Sequence, residues 1–209
     1  MTLSRDDASC VMTPMDLNTE LALVEQLRRG DEAAFDAVYD AFNLRLFTFL
    51  LRLTRRHHVA EDLLEDTWLR LVKHAHRLNP DTRLGAWLFT VARNLHVSYV
   101  RSRLIEDATT AGLMTLWPVS LDRTSPFEAT AANELERRLE RALASLPRAS
   151  REVLLLIGVA GLDHADAADV CGITPDALRQ RLRRARTMLA KALEAESRAA
   201  KSMLGEVTP

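Results

Sequence analysis

Between Asp31 and Arg56 the apolar residues Phe35, Val38, Phe42, Leu46, Phe49 and Leu53 recur at three- and four-residue steps. That spacing lines one face of an α-helix, and a strand, with its period of two, cannot gather them. The same rhythm returns along most of the chain. "ELALVEQLRRG" reads as a first helix closed by Gly30, and Asp31 suits the N-cap of the second. "HHVAEDLLEDTWLRLVKHAHRL" predicts a third, with Leu64, Trp68, Leu71 and Ala75 inward. "NPDTRL" breaks it, because Pro80 and its polar neighbours favour a turn. "GAWLFTVARNLHVSYVRSRL" is a fourth, with Trp87, Val91, Leu95 and Tyr99 inward. Gly and Pro number only 7 each in 209 residues, so little interrupts these helices.

From Glu106 to Ala132 the periodicity fails, and four acids (Glu106, Asp107, Asp122, Glu128) stand against Arg123 alone. This stretch reads as a flexible linker. Helices resume with "ELERRLERALASL", stopped before Pro147, and "ASREVLLLIGVAG". The expected fold is all-α: two small helical domains joined by that linker. Residues 1–18 form a loose extension, 19–104 the first domain, 105–132 the linker, 133–196 the second domain and 197–209 a tail.

Charge decides the next question. The chain is nearly neutral, at net −1. Yet "GITPDALRQRLRRARTML" holds Arg179, Arg181, Arg183, Arg184 and Arg186 with Asp176 as its sole acid. Gly172 marks a turn, Thr174 suits an N-cap, and Pro175 suits the first helical position. Leu178, Leu182, Ala185 and Leu189 share one stripe, which belongs to a core. Asp176, Gln180, Arg183 and Thr187 lie opposite, flanked by Arg179 and Arg184. With the short helix before Gly172 this makes a helix-turn-helix, whose second helix enters the major groove by its N-terminal half. Arginine suits guanine edges and phosphates, glutamine suits adenine, and aspartate suits a cytosine amino group. The run lacks acidic partners four residues away, which sets it apart from an ordinary solvated charged face.

Other chemistries find little support. His57, His58, His74 and His76 near Glu61 and Asp62 lack metal-ligand spacing, and His74 and His76 cannot share a helix face. No glycine-rich phosphate loop or nucleophile motif appears, so neither an enzyme, a cofactor nor a small-molecule substrate is expected. Cys10 and Cys171 stand far apart, which fits a reducing compartment. "MTLSRDDASCVMTPMD" lacks the apolar core of a signal peptide, and Val153–Leu162 is too short to cross a bilayer. A cytoplasmic protein is expected.

The layout resembles the bacterial sigma-70 family, specifically its extracytoplasmic-function (ECF) sigma factors, which carry only regions 2 and 4. "GDEAAFDAVYDAF" is similar to the start of region 2, "AEDLLEDTWLRL" to region 2.2 and "AWLFTVARNL" to regions 2.3–2.4. "LASLPRASREVLLL" resembles region 4.1, and "GLDHADAADVCGITPDALRQRLRRARTML" region 4.2. The resemblance implies a subunit that binds core RNA polymerase and directs promoter-specific initiation. Asp62, Glu65 and Asp66 match positions that dock on the β′ clamp helices, and region 4 is expected at the β flap. Asn79, Asp81, Thr82 and Arg83, in the loop before the fourth helix, match the base-capturing loop of the −10 element. Arg93, His96, Arg101 and Arg103 are candidates for phosphates of the separating strands. Asp176, Arg179, Gln180 and Arg183 are the expected −35 base readers, with Arg181, Arg184 and Arg186 on phosphate or solvent. Trp87 falls in an apolar register that assigns it to the core rather than to base stacking. The family usually works under an anti-sigma factor, and the acidic linker suits a basic polymerase channel.

Two other readings stand beside this one. A helix-turn-helix regulator acting without polymerase explains the second domain but leaves the first domain's motifs idle. A sigma-like mimic that binds an anti-sigma factor needs no groove-facing arginines, and here they are present.

Overall fold

The computed structural model describes residues 15–111 and 132–205. The linker expected over 105–132 falls mostly outside them, as does Cys10. Among the described residues there are helices and turns but no strand.

The first two helices begin where the sequence supplies a cap. Asp16 accepts the Thr19 N–H at 3.1 Å at the head of α1 (Leu17–Arg28). Asp31 accepts the Ala33 N–H at 2.9 Å at the head of α2 (Glu32–Thr54). Between them Gly30 takes φ +78°, a conformation open to glycine without strain. α3 (His57–His74) runs into one 3-10 turn, Ala75–Arg77. The Asn79–Arg83 loop then leads to α4 (Leu84–Ala111). The helix outlasts the expected end at Leu104, because Glu106–Ala111 contains neither Gly nor Pro.

The second group comprises α5 (Ala132–Ser145), α6 (Arg148–Gly158), α7 (His164–Cys171) and α8 (Pro175–Gly205). Arg151 donates to the carbonyls of Leu143, Ala144 and Leu146 at 2.8, 2.8 and 3.2 Å, adding partners at the C-terminal end of α5, where the Leu146 N–H also reaches the Leu143 carbonyl at 3.2 Å. α8 continues nine residues past the expected end of the second domain at 196 (Ser197 to Gly205), and its later turns lie along α5. Arg141 Nε holds Glu196 at 2.7 Å, and Arg138 donates to Ser197. The start of the expected tail is therefore a continuation of the helix.

Phe42, Leu46, Phe49, Leu50 and Phe89 fill the centre of the first group, with Phe49 and Phe89 edge to face at 5.3 Å. Val153, Leu155, Leu156, Ala167, Ala168 and Leu178 fill the second. These two cores are continuous. α6 lies against α2 and α7 against α4, so the two helical groups stand in contact.

That contact explains a correction in α4. Trp87, Val91 and Tyr99, expected inside, are only half-buried, and Leu95 is buried as expected. The fully enclosed residues are Leu84, Leu88, Phe89 and Ala92. α4 is covered by α2 and α3 on one side and by α7 on the other, so no one stripe defines its interior. In α3 the register is similarly displaced: Trp68 and Leu71 are buried, Leu64 and Ala75 only half-buried, and Val59, Ala60 and Leu63 complete the face.

Candidate nucleic-acid interface

The helix-turn-helix is built from local chemistry. Asp163 accepts the Asp166 N–H at 2.8 Å and starts α7. Gly172, at φ +64°, ends it, with its N–H reaching the carbonyls of Ala168 and Asp169. Thr174 Oγ1 accepts the Ala177 N–H at 3.2 Å and starts α8. Leu178, Leu182 and Ala185 are buried and Leu189 half-buried, as the stripe requires. Cys171 is buried beside them, and burial first, then the Glu152 charge, pushes its thiol up to about 11. It behaves as a small apolar residue.

Outward from that stripe stand Asp176, Arg179, Gln180, Arg183, Arg184 and Arg186, all exposed, while Arg181 is half-buried. A shallow groove between α7 and α8 is lined by His164, Arg179, Leu182, Arg183, Arg186 and Thr187. His164 was not expected here. It sits at the first position of α7, a place that the arginine run does not mark. Asp176 pairs with Arg179, so part of the Arg179 fork is already engaged within the helix.

The expected −10 residues divide. Asn79 Oδ1 accepts the Asp81 N–H at 3.1 Å, and the Thr82 N–H reaches the Asn79 carbonyl at 2.9 Å. These bonds fold the loop into a tight turn with Asn79 and Asp81 exposed and Thr82 half-buried. Arg101 and Arg103 lie on the exposed face of α4. Arg83 and Arg93 instead face carboxylates of the second group. Arg83 Nη2 holds Asp166 at 2.8 Å and Asp163 at 3.5 Å, and its Nε lies 3.6 Å from Glu20. Arg93 Nε holds Glu152 at 2.6 Å, and Glu152 is only 3% exposed.

His96 is a correction. It is buried, and its Nδ1 has no hydrogen-bond partner among the described residues. Burial first, then the positive charges of Arg148, Arg151 and Arg93, lower its pKa to about 4. A neutral, enclosed imidazole does not hold a phosphate in this conformation. It does make folding sensitive to acid. The unfolded chain takes up a proton near the ordinary value of 6.5 and the folded one near 4, so stability is full above pH 6.5 and falls as the pH drops. Lowering the pH from 7 to 5 should remove about 2 kcal/mol through this group. Asp166, held up by burial and by Asp163, titrates with the opposite sign and offsets part of that loss at the acidic end. Urea melts of the protein and of His96→Gln at both pH values check this, and the variant should show the smaller pH dependence.

On the far side of the first group, Asp62, Glu65 and Asp66 are exposed on α3, as expected. Beside them lies an unexpected apolar groove lined by Phe35, Tyr39, Leu64, Trp68, Leu69 and Val72, with Glu61 and Glu65 at its edge. Trp68 anchors it: its ring lies 4.9 Å from Tyr39 and 5.9 Å from Phe35, and its Nε1–H donates to Asn43 Oδ1 at 3.1 Å. Tyr39, Leu69 and Val72 are 40%, 44% and 59% exposed, a cluster of large apolar side chains left in water. Leu69 and Val72 fall outside the stripe that carries Trp68 and Leu71, which was the available signal.

Family comparison matches this arrangement in both halves. Residues 38–104 match the model of Sigma-70 region 2, and residues 136–189 that of Sigma-70, region 4. The ECF RNA polymerase sigma factor EcfG of Rhodopseudomonas palustris is 35% identical over 150 residues, covering 71% of this chain and 78% of that protein. The chain belongs to the ECF branch of the sigma-70 family. Among solved structures, the sigma factor RpoE in complex with the anti-sigma factor NepR, from Bartonella quintana, is 26% identical. It aligns with a TM-score of 0.57 over 85% of this chain and 95% of that one. CnrH, solved with the cytosolic domain of CnrY, shares the fold with a TM-score of 0.64 and 23% identity, over 85% of this chain and 98% of that one. The match to region 2 accounts for the first helical group, which a lone helix-turn-helix regulator leaves idle. Among the described residues no cluster of His, Cys, Asp and Glu could hold a metal ion, and no helix is long and apolar enough to cross a membrane.

Proposed function

We propose that this ECF sigma factor docks on core RNA polymerase through α3 and directs initiation at promoters that it reads with α4 and α8. It works in the cytoplasm and has no catalytic chemistry of its own. Residues 19–104 form the polymerase and −10 unit, 105–132 the linker, and 133–196 the −35 unit, which also meets the β flap. The observation that carries this reading is the exposed arginine face of α8, set on a capped helix-turn-helix within a chain that matches both sigma regions.

At the −35 element Asp176, Arg179, Gln180 and Arg183 meet base edges, and Arg181, Arg184 and Arg186 meet phosphates. At the −10 element the Asn79–Arg83 loop takes a base, and Arg93, Arg101 and Arg103 hold the strand. At the polymerase, the apolar groove of Tyr39, Leu69 and Val72 supplies buried area, while Asp62, Glu65 and Asp66 supply charge complementary to basic clamp helices. An anti-sigma factor would cover these faces, as the neighbour solved with NepR supports.

Docking has a direct test. Leu69→Glu with Val72→Glu should weaken binding to core polymerase at least about tenfold, because charge then enters an apolar contact. Both side chains are exposed, so the helical content of the protein should stay unchanged. Retained polymerase affinity in a pull-down with the full chain would move the docking face elsewhere.

A further inference from the structure

The outward face of α8 sets one carboxylate among several arginines, and those arginines are not equivalent. Asp176 Oδ1 accepts from Arg179 Nη2, about one turn along the helix, and both side chains are exposed. Among the described residues no carboxylate holds Arg183, Arg184 or Arg186. Arg179 therefore differs from its neighbours in having one edge of its guanidinium already fixed.

The common duties of an acid in the first turn do not account for this pairing. Thr174 Oγ1 takes the Ala177 N–H at 3.2 Å and so caps the helix, and Pro175 has no N–H to satisfy. The helix dipole favours an acid here wherever its side chain points, and asks for no bond to Arg179. In water an exposed ion pair three residues apart adds little stability.

On DNA the balance changes. Asp176 shares the exposed face with Gln180 and Arg183, so it enters the groove with them. A bare carboxylate there would stand against phosphates and base acceptors, and repulsion would oppose binding. Paired with Arg179, it arrives with its charge compensated. The arginine gains as well. A guanidinium presents five donors in a planar fork, enough for two bonds to a guanine and one to a carboxylate at once. Its long side chain is otherwise costly to immobilise. A carboxylate on one edge of the fork holds the plane still and aims the remaining donors. Arg179 also lines the α7–α8 groove, so the fork is bounded by Asp176 on the helix and by that groove beside it.

We propose that Asp176 and Arg179 read DNA as one unit, in which Asp176 is the positioning residue that sets the Arg179 fork on a guanine of the −35 element. The inference rests on the −35 reading of α8 given above and deepens it: Asp176 acts on the base that Arg179 reads, and the two residues are not independent.

The test uses holoenzyme assembled from the full chain and core polymerase. The probe is a pool of duplexes that share one promoter from which this holoenzyme initiates and differ in a randomised −35 hexamer. Duplexes retained by the unaltered protein, Asp176→Ala, Arg179→Ala and the double variant are sequenced. Both positions are exposed and Thr174 keeps the cap, so helical content should stay unchanged. Arg179→Ala should erase a guanine preference at one position of the hexamer. Asp176→Ala should weaken the guanine preference at that same position about three- to tenfold, the share of a bidentate contact that comes from holding a long side chain still. The double variant should match Arg179→Ala there, the mark of coupled rather than additive action. An intact guanine preference in Asp176→Ala overturns the proposal, as do effects that add in the double variant or an Arg179→Ala that erases no guanine preference. Stronger retention of all duplexes alike by Asp176→Ala, with preference unchanged, would reduce Asp176 to a repulsive surface charge and overturn it too. Failure of the −35 reading is separate: the unaltered holoenzyme would then show no base preference anywhere in the hexamer.

Discussion

Arg183→Ala is expected to lower initiation from −35-dependent promoters by roughly ten- to a hundredfold, the range of one bidentate base contact. Binding to core polymerase should be largely kept, because the α3 groove lies in the other helical group and Arg183 stands on the α7–α8 groove face given to DNA. The side chain stands exposed opposite Leu178, Leu182 and Ala185, so its removal leaves the core of α8 intact. Run-off transcription beside a polymerase pull-down separates the two effects. The salt dependence adds a second criterion. If Arg183 reads a base, affinity falls for the cognate site only; if it holds a phosphate, affinity falls on all DNA and the slope of log K against log salt drops by about one. Equal loss of transcription and polymerase binding would mean that α8 has another role.

Phe49→Ala should destabilise the protein by about 3–5 kcal/mol, as truncating an enclosed aromatic does. Phe49 is fully buried, packs edge to face on Phe89, and so ties α2 to α4. A loss of that size is a large share of a typical domain's stability. The variant should show a clearly lower urea midpoint, and the polymerase and DNA faces should weaken together. Tyr39→Ala, at a half-open surface position, should leave the midpoint far less changed while affecting docking.

Most of the fold is legible in the sequence because most of it is set locally. Gly30, Asp31, Pro147, Gly172 and Thr174 each fix a helix end by their own backbone or side-chain chemistry, and the structure uses all five as expected. The stripe of α8 is legible for a related reason: one side of that helix segment faces protein and the other faces water. α4 is different. It is apolar on several sides, and periodicity cannot choose an interior when two faces are covered by different helices. The displaced positions of Trp87, Val91 and Tyr99 follow from that. His96 departs from its expected phosphate role for a related reason: its enclosure, which keeps it neutral, comes from neighbouring helices and leaves no mark in the sequence.

The candidate site shows the same limit. The arginines are visible in the sequence, but their partners are not. Arg93 and Glu152 lie 59 positions apart, and Arg83 and Asp166 are separated still further, so their pairing depends on how the helical groups meet. The apolar groove on α3 and the place of His164 beside Arg183 likewise arise from neighbouring helices.

The central claim is that this chain confers promoter choice on core polymerase. Purified protein, core polymerase and fragmented genomic DNA, with transcripts mapped from their 5′ ends, test it most directly. The expected result is initiation at a subset of promoters that core polymerase alone ignores, sharing bases near −10 and −35. No transcript above the core-only background on any fragment would contradict it.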